Sequence, residues 1–247
     1  MLSRTGWGEN ATGGTNIVMV STMAQLKNAS SAGGNWILLA PNFGTQDIGT
    51  SSIVIQDNTT IDGSLAPGAT ITNNLGQVIT IRVLGDNTIQ HCFILDADPN
   101  IQTTAMSLIN GLNHWVDHIE FRNFESDDGL NIGQSSPNNN VDLITISNVK
   151  FDDTDFGGVS GFYFDKEYDA GNLGRITVHS SDLSAEQRNP KNEGMTLFHE
   201  FNNLMRDPQF NSSTVRNRNA PSVTATTWAE NNHYVTCLLY TSDAADE

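Results

Sequence analysis

The residues best able to do chemistry lie between Asn113 and Gly133. Asn113-His-Trp-Val-Asp-His-Ile-Glu-Phe121 places an aspartate among histidines, and Asp127-Asp-Gly-Leu-Asn-Ile-Gly133 follows with two adjacent carboxylates. The acidic turn reads either as a metal and sugar site or as a solvated loop entering a strand. Trp115, Asp117, Ile119 and Phe121 alternate with His114, Val116, His118 and Glu120, the two-residue period of a strand with two different faces. That alternation is enough to account for Asp117 and His118 as structural rung residues, with Asp117 hydrogen-bonded to an adjacent coil. Two further candidates follow: Arg188, in Gln187-Arg-Asn-Pro-Lys-Asn-Glu-Gly194, and His199, in Phe198-His-Glu. His199 reads as a stacking or hydrogen-bonded residue before it reads as a base.

The elements that must position these residues are strands. Hydrophobic residues make up 37% of the chain and charged residues only 16%, so Asn, Ser, Thr, Gly and Gln carry the polarity. That balance suits short strands joined by hydrogen-bonding turns. A net charge of −16 argues against a nucleic-acid partner, and no apolar run is long enough to cross a bilayer. The expected product is one domain over residues 1–236. Residues 237–247, Cys237 to Glu247, resemble a translated sequencing-adapter end and are expected to be non-native. Setting them aside leaves Cys92 as the lone cysteine and gives no disulfide framework. A truncated gene and a missing export signal are both expected.

Near the start, Ile17–Val20, Trp36–Ala40 and Ser52–Gln56 read as strands. Ser21-Thr-Met-Ala-Gln-Leu-Lys-Asn-Ala29, with Gly33-Gly34 beyond it, reads as a short capping helix. Four later segments then superpose without gaps: Thr88-Ile-Gln-His-Cys-Phe-Ile94, Trp115-Val-Asp-His-Ile-Glu-Phe121, Thr145-Ile-Ser-Asn-Val-Lys-Phe151 and Thr177-Val-His-Ser-Ser-Asp-Leu183. Each has an aliphatic second residue, a His, Asn or Ser fourth and a bulky apolar last. Weaker copies follow at Thr196 and Thr226. The offset, about 27 to 32 residues, suits stacked solenoid coils, with the fourth position hydrogen-bonding from coil to coil. An ordinary β-sandwich also alternates, but it does not explain one register shared by four segments. The predicted fold is all-β, a right-handed parallel β-helix with a short N-terminal capping helix.

Taken together the motifs resemble the pectate lyase and pectin lyase family. Gly6-Trp-Gly-Glu-Asn-Ala-Thr-Gly-Gly14 resembles its N-terminal glycine motif, and Asp57-Asn-Thr-Thr-Ile-Asp-Gly63 its S-N-K-T-I-x-G turn. Asn113-His-Trp-Val-Asp-His118 resembles its N-V-W-I-D-H rung. Asp128-Gly-Leu-Asn-Ile132 with Asp142-Leu-Ile-Thr-Ile-Ser147 resembles D-G-L-x-D-I … D-Y-V-T-V-S. Gln187–Gly194 with Phe198-His-Glu-Phe-Asn-Asn203 resembles R-x-P-R-x-R-x-G … V-H-V-Y-N-N.

The resemblance implies β-elimination of polygalacturonate by a secreted enzyme, with Ca2+ bound by carboxylates and an arginine as base. It makes Arg188 and Lys191 the catalytic candidates, and Arg188, Lys191 and His199 the substrate contacts. Asp127, Asp128 and Asn131 become the metal ligands, with Ca2+ as cofactor. The implied partner is an acidic polysaccharide, pectate or pectin, met by a monomer. An arginine base is unusual because a guanidinium is protonated in water, so that role rests on the family alone. The match departs from the pattern in several places. Glu193 reverses the third basic position, Thr104 stands where a carboxylate is expected with Asp96 or Asp98 as substitutes, and Asn131 replaces a second carboxylate. No lysine lies near Asp155–Gly157, where the family has one. A metal-independent pectin lyase acting on another or esterified uronan is therefore a second reading. A non-catalytic β-helix that binds polysaccharide is a third.

Overall fold

The structure, a computed structural model, describes residues 5–124, 129–133, 141–152, 162–166, 174–184, 187–194, 196–206, 210–216 and 226–235. Successive segments turn the same way and stack as coils of a right-handed parallel β-helix with three faces. The first face runs through Asn16–Val20, Asn35–Leu39, Thr60–Asp62, Thr88–Ala97, Gly111–Arg122, Val141–Ser147, Gly174–His179, Thr196–Phe201 and Thr226–Glu230. The third face is a seven-stranded sheet ordered Phe210–Arg216, Gln187–Gly194, Phe162–Lys166, Leu130–Ile132, Thr104–Leu108, Ile79–Val83 and Ile53–Ile55. Every described pairing between these strands is parallel, as the predicted solenoid requires.

Two long strands turn the corner onto the second face. Thr88–Ala97 bends at Cys92 and Gly111–Arg122 bends at His118, with φ of 59° and 51°. Beyond the bend Ile94 pairs with Thr70, and Glu120 with Lys150. The same left-handed conformation recurs on later coils at Asn148, Ser180, Asn202 and Asn231. Asparagine tolerates it better than most residues, because its short polar side chain bonds locally. The corner is tied from coil to coil by backbone bonds from Asn148 N to His179 O, Ser180 N to Phe201 O and Asn202 N to Glu230 O, each 3.2 Å.

The fourth position of the repeat is thus the corner for His118, Asn148 and Ser180. The first segment is a correction. Trp115 pairs with Ile89, not Thr88, so Cys92 takes the corner and His91 lies beside Asp117. A one-residue slip exchanges the two sides of a strand. Here it turns Gln90 inward beside Ile61 and Val116, and leaves His91 on the outward row. The weaker copies shift too, with Thr177 opposite His199 and Leu197 opposite Thr226.

The interior is filled by inward rows such as Ile61, Val116, Ile146 and Val178, each fully or almost fully buried. Phe121 and Phe151 stack at 4.6 Å on the second face. The capping helix spans Met23–Ala32, three residues beyond the predicted end. Thr22 caps it by accepting from Gln25 N, and Gly33, at φ 70°, ends it. Its buried Met23 and Leu26 cover the apolar end of the first coils. That shields the interior at this end of the described stack.

The glycine-rich segment has a specific task. It crosses the first face, with Trp7 N donating to Thr177 Oγ1 at 3.2 Å, Gly8 N to Thr145 Oγ1 at 2.8 Å and Gly14 N to Thr60 Oγ1 at 3.2 Å. A Cβ on Gly8 would lie 2.2 Å from His114 O and 2.6 Å from Thr145 N. Both are backbone atoms that cannot yield, so only glycine lets this strap lie flat on the rungs.

Candidate functional site

The predicted site residues divide between two faces. On the third face, Asn131 pairs with Ser107 on one side and Tyr163 on the other, and Tyr163 pairs with Lys191. Asn131 and Lys191 therefore share one register row two strands apart, a separation of about 10 Å at the usual strand spacing. Arg82 pairs with Ser107 and occupies the same row on the other side of Asn131. Arg188 belongs to the strand of Lys191, Gln187–Gly194. Asp127 and Asp128 lie outside the described residues, as does Asp155–Gly157.

The described oxygens near Asn131 are neutral. Ser107 is fully buried, and its hydroxyl has no hydrogen-bond partner. Thr104 lies outside this row, paired with Ile79 in the inward parity of Met106 and Leu108, and Arg82 brings a positive charge to the row. Neutral oxygens fit Ca2+ only as supplements to carboxylates, so a Ca2+ site here rests on Asp127 and Asp128. The two proposed substitutes are otherwise engaged. Asp96 accepts from Asn123 Nδ2 at 2.8 Å, and Asp98 accepts from both nitrogens of Asn100 at 2.9 Å.

His199 lies on the first face, away from Lys191 and Asn131. It pairs with Thr177 and Trp228, stacks on the Trp228 ring at 4.6 Å and tilts over Phe201 at 4.8 Å. It borders a shallow groove with Thr5, Trp7, Glu9 and Glu230.

Among the described residues, the most densely connected polar group is also on the first face. Leu38, Asp62, His91, Asp117, Ser147, His179 and Phe201 form one row from coil to coil. Asp117 is fully buried and accepts four side-chain bonds. Oδ2 takes His91 Nδ1 at 2.9 Å and His118 Nδ1 at 2.8 Å, while Oδ1 takes Ser147 Oγ at 2.6 Å and Asn148 Nδ2 at 2.9 Å. Burial alone would raise its pKa. The four donors outweigh it and hold the carboxyl well below the usual carboxylate range. Trp115 Nε1 donates to Ser147 Oγ at 2.9 Å, and its indole stacks on His91 at 6.1 Å. Trp36 Nε1 reaches Asp62 Oδ2 at 3.2 Å. A groove of about 740 Å³ opens beside this group, lined by Thr12, Trp36, Asp62, Ile89, His91 and Trp115.

Cys92 Sγ lies 3.0 Å from His91 Nε2. Burial, then Asp62 and Asp117, push its thiol up to about 11, so it is protonated at neutral pH. Deeper in the same rung His114 is fully buried, with Nδ1 2.8 Å from Thr88 Oγ1. Burial lowers its pKa to about 4, against the opposing pull of the Gly111 and Asn110 carbonyls.

Asp117 thus acts in the rung as its alternation predicts, bonded to the coils before and after it. The role of His91 went unrecognised because gapless superposition laid it over His118. A superposition that keeps apolar residues inward would shift that segment by one and bring His91 to Asp117.

These features find counterparts among known proteins. Residues 6–237 match the family model described as pectate lyase. A curated relative, "Pectin lyase" from Bacillus subtilis, is 28% identical over 187 residues, covering 68% of this chain and 50% of that protein. The chain thus spans about half the length of that relative. A pectate lyase structure from Bacillus subtilis superposes with a TM-score of 0.66 at 16% identity, covering 97% of this chain and 81% of the other. A pectate lyase from Xanthomonas campestris gives 0.62 at 16% identity, covering 94% and 82%. The major allergen from cedar pollen gives 0.62 at 16% identity, covering 94% and 81%. Likeness at that identity speaks for the fold alone, whereas the family model spans nearly the whole sequence: the chain belongs to the pectate lyase family.

Proposed function

We propose that this chain is a polysaccharide lyase that cleaves a pectic polyuronate by β-elimination along the third face. The observation that carries the reading is the register row aligning Asn131 with Lys191 on the strand of Arg188, in a chain of the pectate lyase family. Arg188 takes the C5 proton, a C4–C5 double bond forms as the C4–O bond breaks, and the departing glycosidic oxygen keeps that bond's electron pair and takes up a proton, so no water is consumed. Lys191 orients the uronate carboxylate. Asp127, Asp128 and Asn131 are the residues that would hold Ca2+, which supplies charge neutralisation at that carboxylate and so acidifies C5. A polymer of this kind is met outside the cell, which makes the site of action extracellular.

A second reading is metal-independent cleavage of an esterified pectin. It is favoured by the neutral oxygens of Ser107 and Asn131 and by the positive charge of Arg82 in their row. The curated relative named a pectin lyase points the same way.

The test measures absorbance of unsaturated uronide products from polygalacturonate and from esterified pectin, with Ca2+ or chelator, for the native chain and Arg188→Ala. Chelator-sensitive product from polygalacturonate, lost in the variant, is the expected result. Chelator-resistant cleavage of esterified pectin selects the second reading. No product from either polymer, with folded protein, leaves a polysaccharide-binding β-helix without catalysis.

A further inference from the structure

We infer that His91, Asp117 and His118 form a binding site for a divalent transition metal such as Zn2+, on the first face and separate from any Ca2+ site at Asn131. Their ligand atoms all lie within 4.8 Å of one another. Both imidazoles present Nδ1 to the same carboxylate oxygen, at 2.9 and 2.8 Å. Their rings are nearly perpendicular, at 77° with centroids 5.4 Å apart, so the two nitrogens approach that oxygen from different directions.

A tetrahedral Zn2+ with ligands near 2.0–2.1 Å separates them by about 3.3 Å. The metal-free contacts are a few tenths of an ångström shorter than that. Opening them needs a small rotation of His118, whose side chain is 45% exposed and borders an open depression. The metal then takes the place of the two protons that now join the rings to Asp117.

The surroundings match what a metal needs from its outer shell. Ser147 Oγ and Asn148 Nδ2 hold Asp117 Oδ1, which leaves Oδ2 for the metal. Once Nδ1 of His91 is a ligand, Nε2 must carry the hydrogen, and Cys92 Sγ stands 3.0 Å away to accept it. Ring nitrogens anchored on their far side in this manner raise metal affinity and fix the tautomer.

Two imidazoles and one carboxylate favour Zn2+ over Ca2+, which prefers six or more oxygens. Three protein ligands leave one position open, and His118 faces a shallow depression shared with Gly63, Ser64, Cys92 and Glu120. That opening admits water or a small anion as fourth ligand.

The test is titration of chelator-stripped protein with ZnCl2 by calorimetry and with CoCl2 by visible absorption, on the native chain and on His118→Ala, His91→Ala and Cys92→Ser. Far-UV circular dichroism checks the fold of each. One Zn2+ per chain is expected, with a four-coordinate Co2+ spectrum and a higher melting temperature. Affinity should fall more than about 100-fold in either histidine variant and about 10-fold in Cys92→Ser. Millimolar CaCl2 should not displace the metal. If His91→Ala fails to fold, the half-exposed His118 decides the matter alone. No stoichiometric binding by the native chain, equal binding by His118→Ala, or displacement by Ca2+ would each overturn the inference.

Discussion

The first and third faces are made by the same coils, yet they are finished differently. On the first face many outward polar side chains are committed to a neighbour: Asp117 to four donors, Asp142 to Arg175, Trp36 to Asp62, and Thr60, Thr145 and Thr177 to the glycine strap. The strap is itself fastened through Trp7, which lies under the Arg175 guanidinium at 5.6 Å. On the third face the described row through Arg82, Ser107 and Asn131 leaves the Ser107 hydroxyl unpartnered and Arg82 exposed. A committed network stiffens a surface, whereas an exposed charge such as that of Arg82 keeps bonding capacity for a ligand. The contrast sets the rung-locking of the first face against the polymer chemistry proposed for the third.

Substitutions that affect one face and spare the other test this division. The largest effect is expected from Arg188→Ala, a loss of about 10³-fold in lyase activity with the urea midpoint unchanged. A parallel fall in stability would mean that the residue serves the fold instead. Next is Asp117→Ala, which strands four donors around a buried void and should cost about 3–5 kcal/mol in urea unfolding. A cost below about 1 kcal/mol would show that the network is not what locks the first face.

His114 gives the third prediction. Its folded pKa, about 4, lies below the ordinary value of 6.5, so the folded state favours the neutral ring. The stability from that ring is therefore complete above pH 6.5 and is lost as pH falls from 6.5 towards 4, by roughly 3 kcal/mol. His114→Gln should flatten the stability profile in that window. An unchanged slope would place the proton uptake elsewhere.

A smaller gain is expected at Gln90, whose amide oxygen and nitrogen are both buried without partners between Ile61 and Val116. Gln90→Leu should stabilise by about 1–2 kcal/mol, read from the urea midpoint. Destabilisation would mean that the amide is satisfied in solution, by a bound water for instance. The smallest effect belongs to the third face. Asn131→Asp restores a carboxylate and should lower the Ca2+ concentration for half-maximal activity about 10-fold, with stability unaltered.

Much of this molecule could be read before its structure. The alternation from Trp115 to Phe121, the shared register of three of the four segments and the Thr22 start of the helix all report local geometry, which a chain writes into its own spacing. The family resemblance was equally legible, because the Trp-Val-Asp-His rung and the Arg-Asn-Pro segment keep their residue types in order. Local pattern failed where a choice depended on the neighbouring coil. Thr88-Ile-Gln-His91 alternates acceptably in either of two registers, and its own residues do not say which side faces inward.

By itself, then, the sequence determined that this chain coils into parallel rungs and which family it joins, since periodicity and motif order belong to the chain alone. Only the tertiary structure decided that His91 meets Asp117 and His118, that Gln90 is buried, and that Lys191 aligns with Asn131 while His199 lies on another face. Those pairings join residues about a coil or more apart. They are set by hydrogen-bond register between coils, where a shift of one residue exchanges inside for outside.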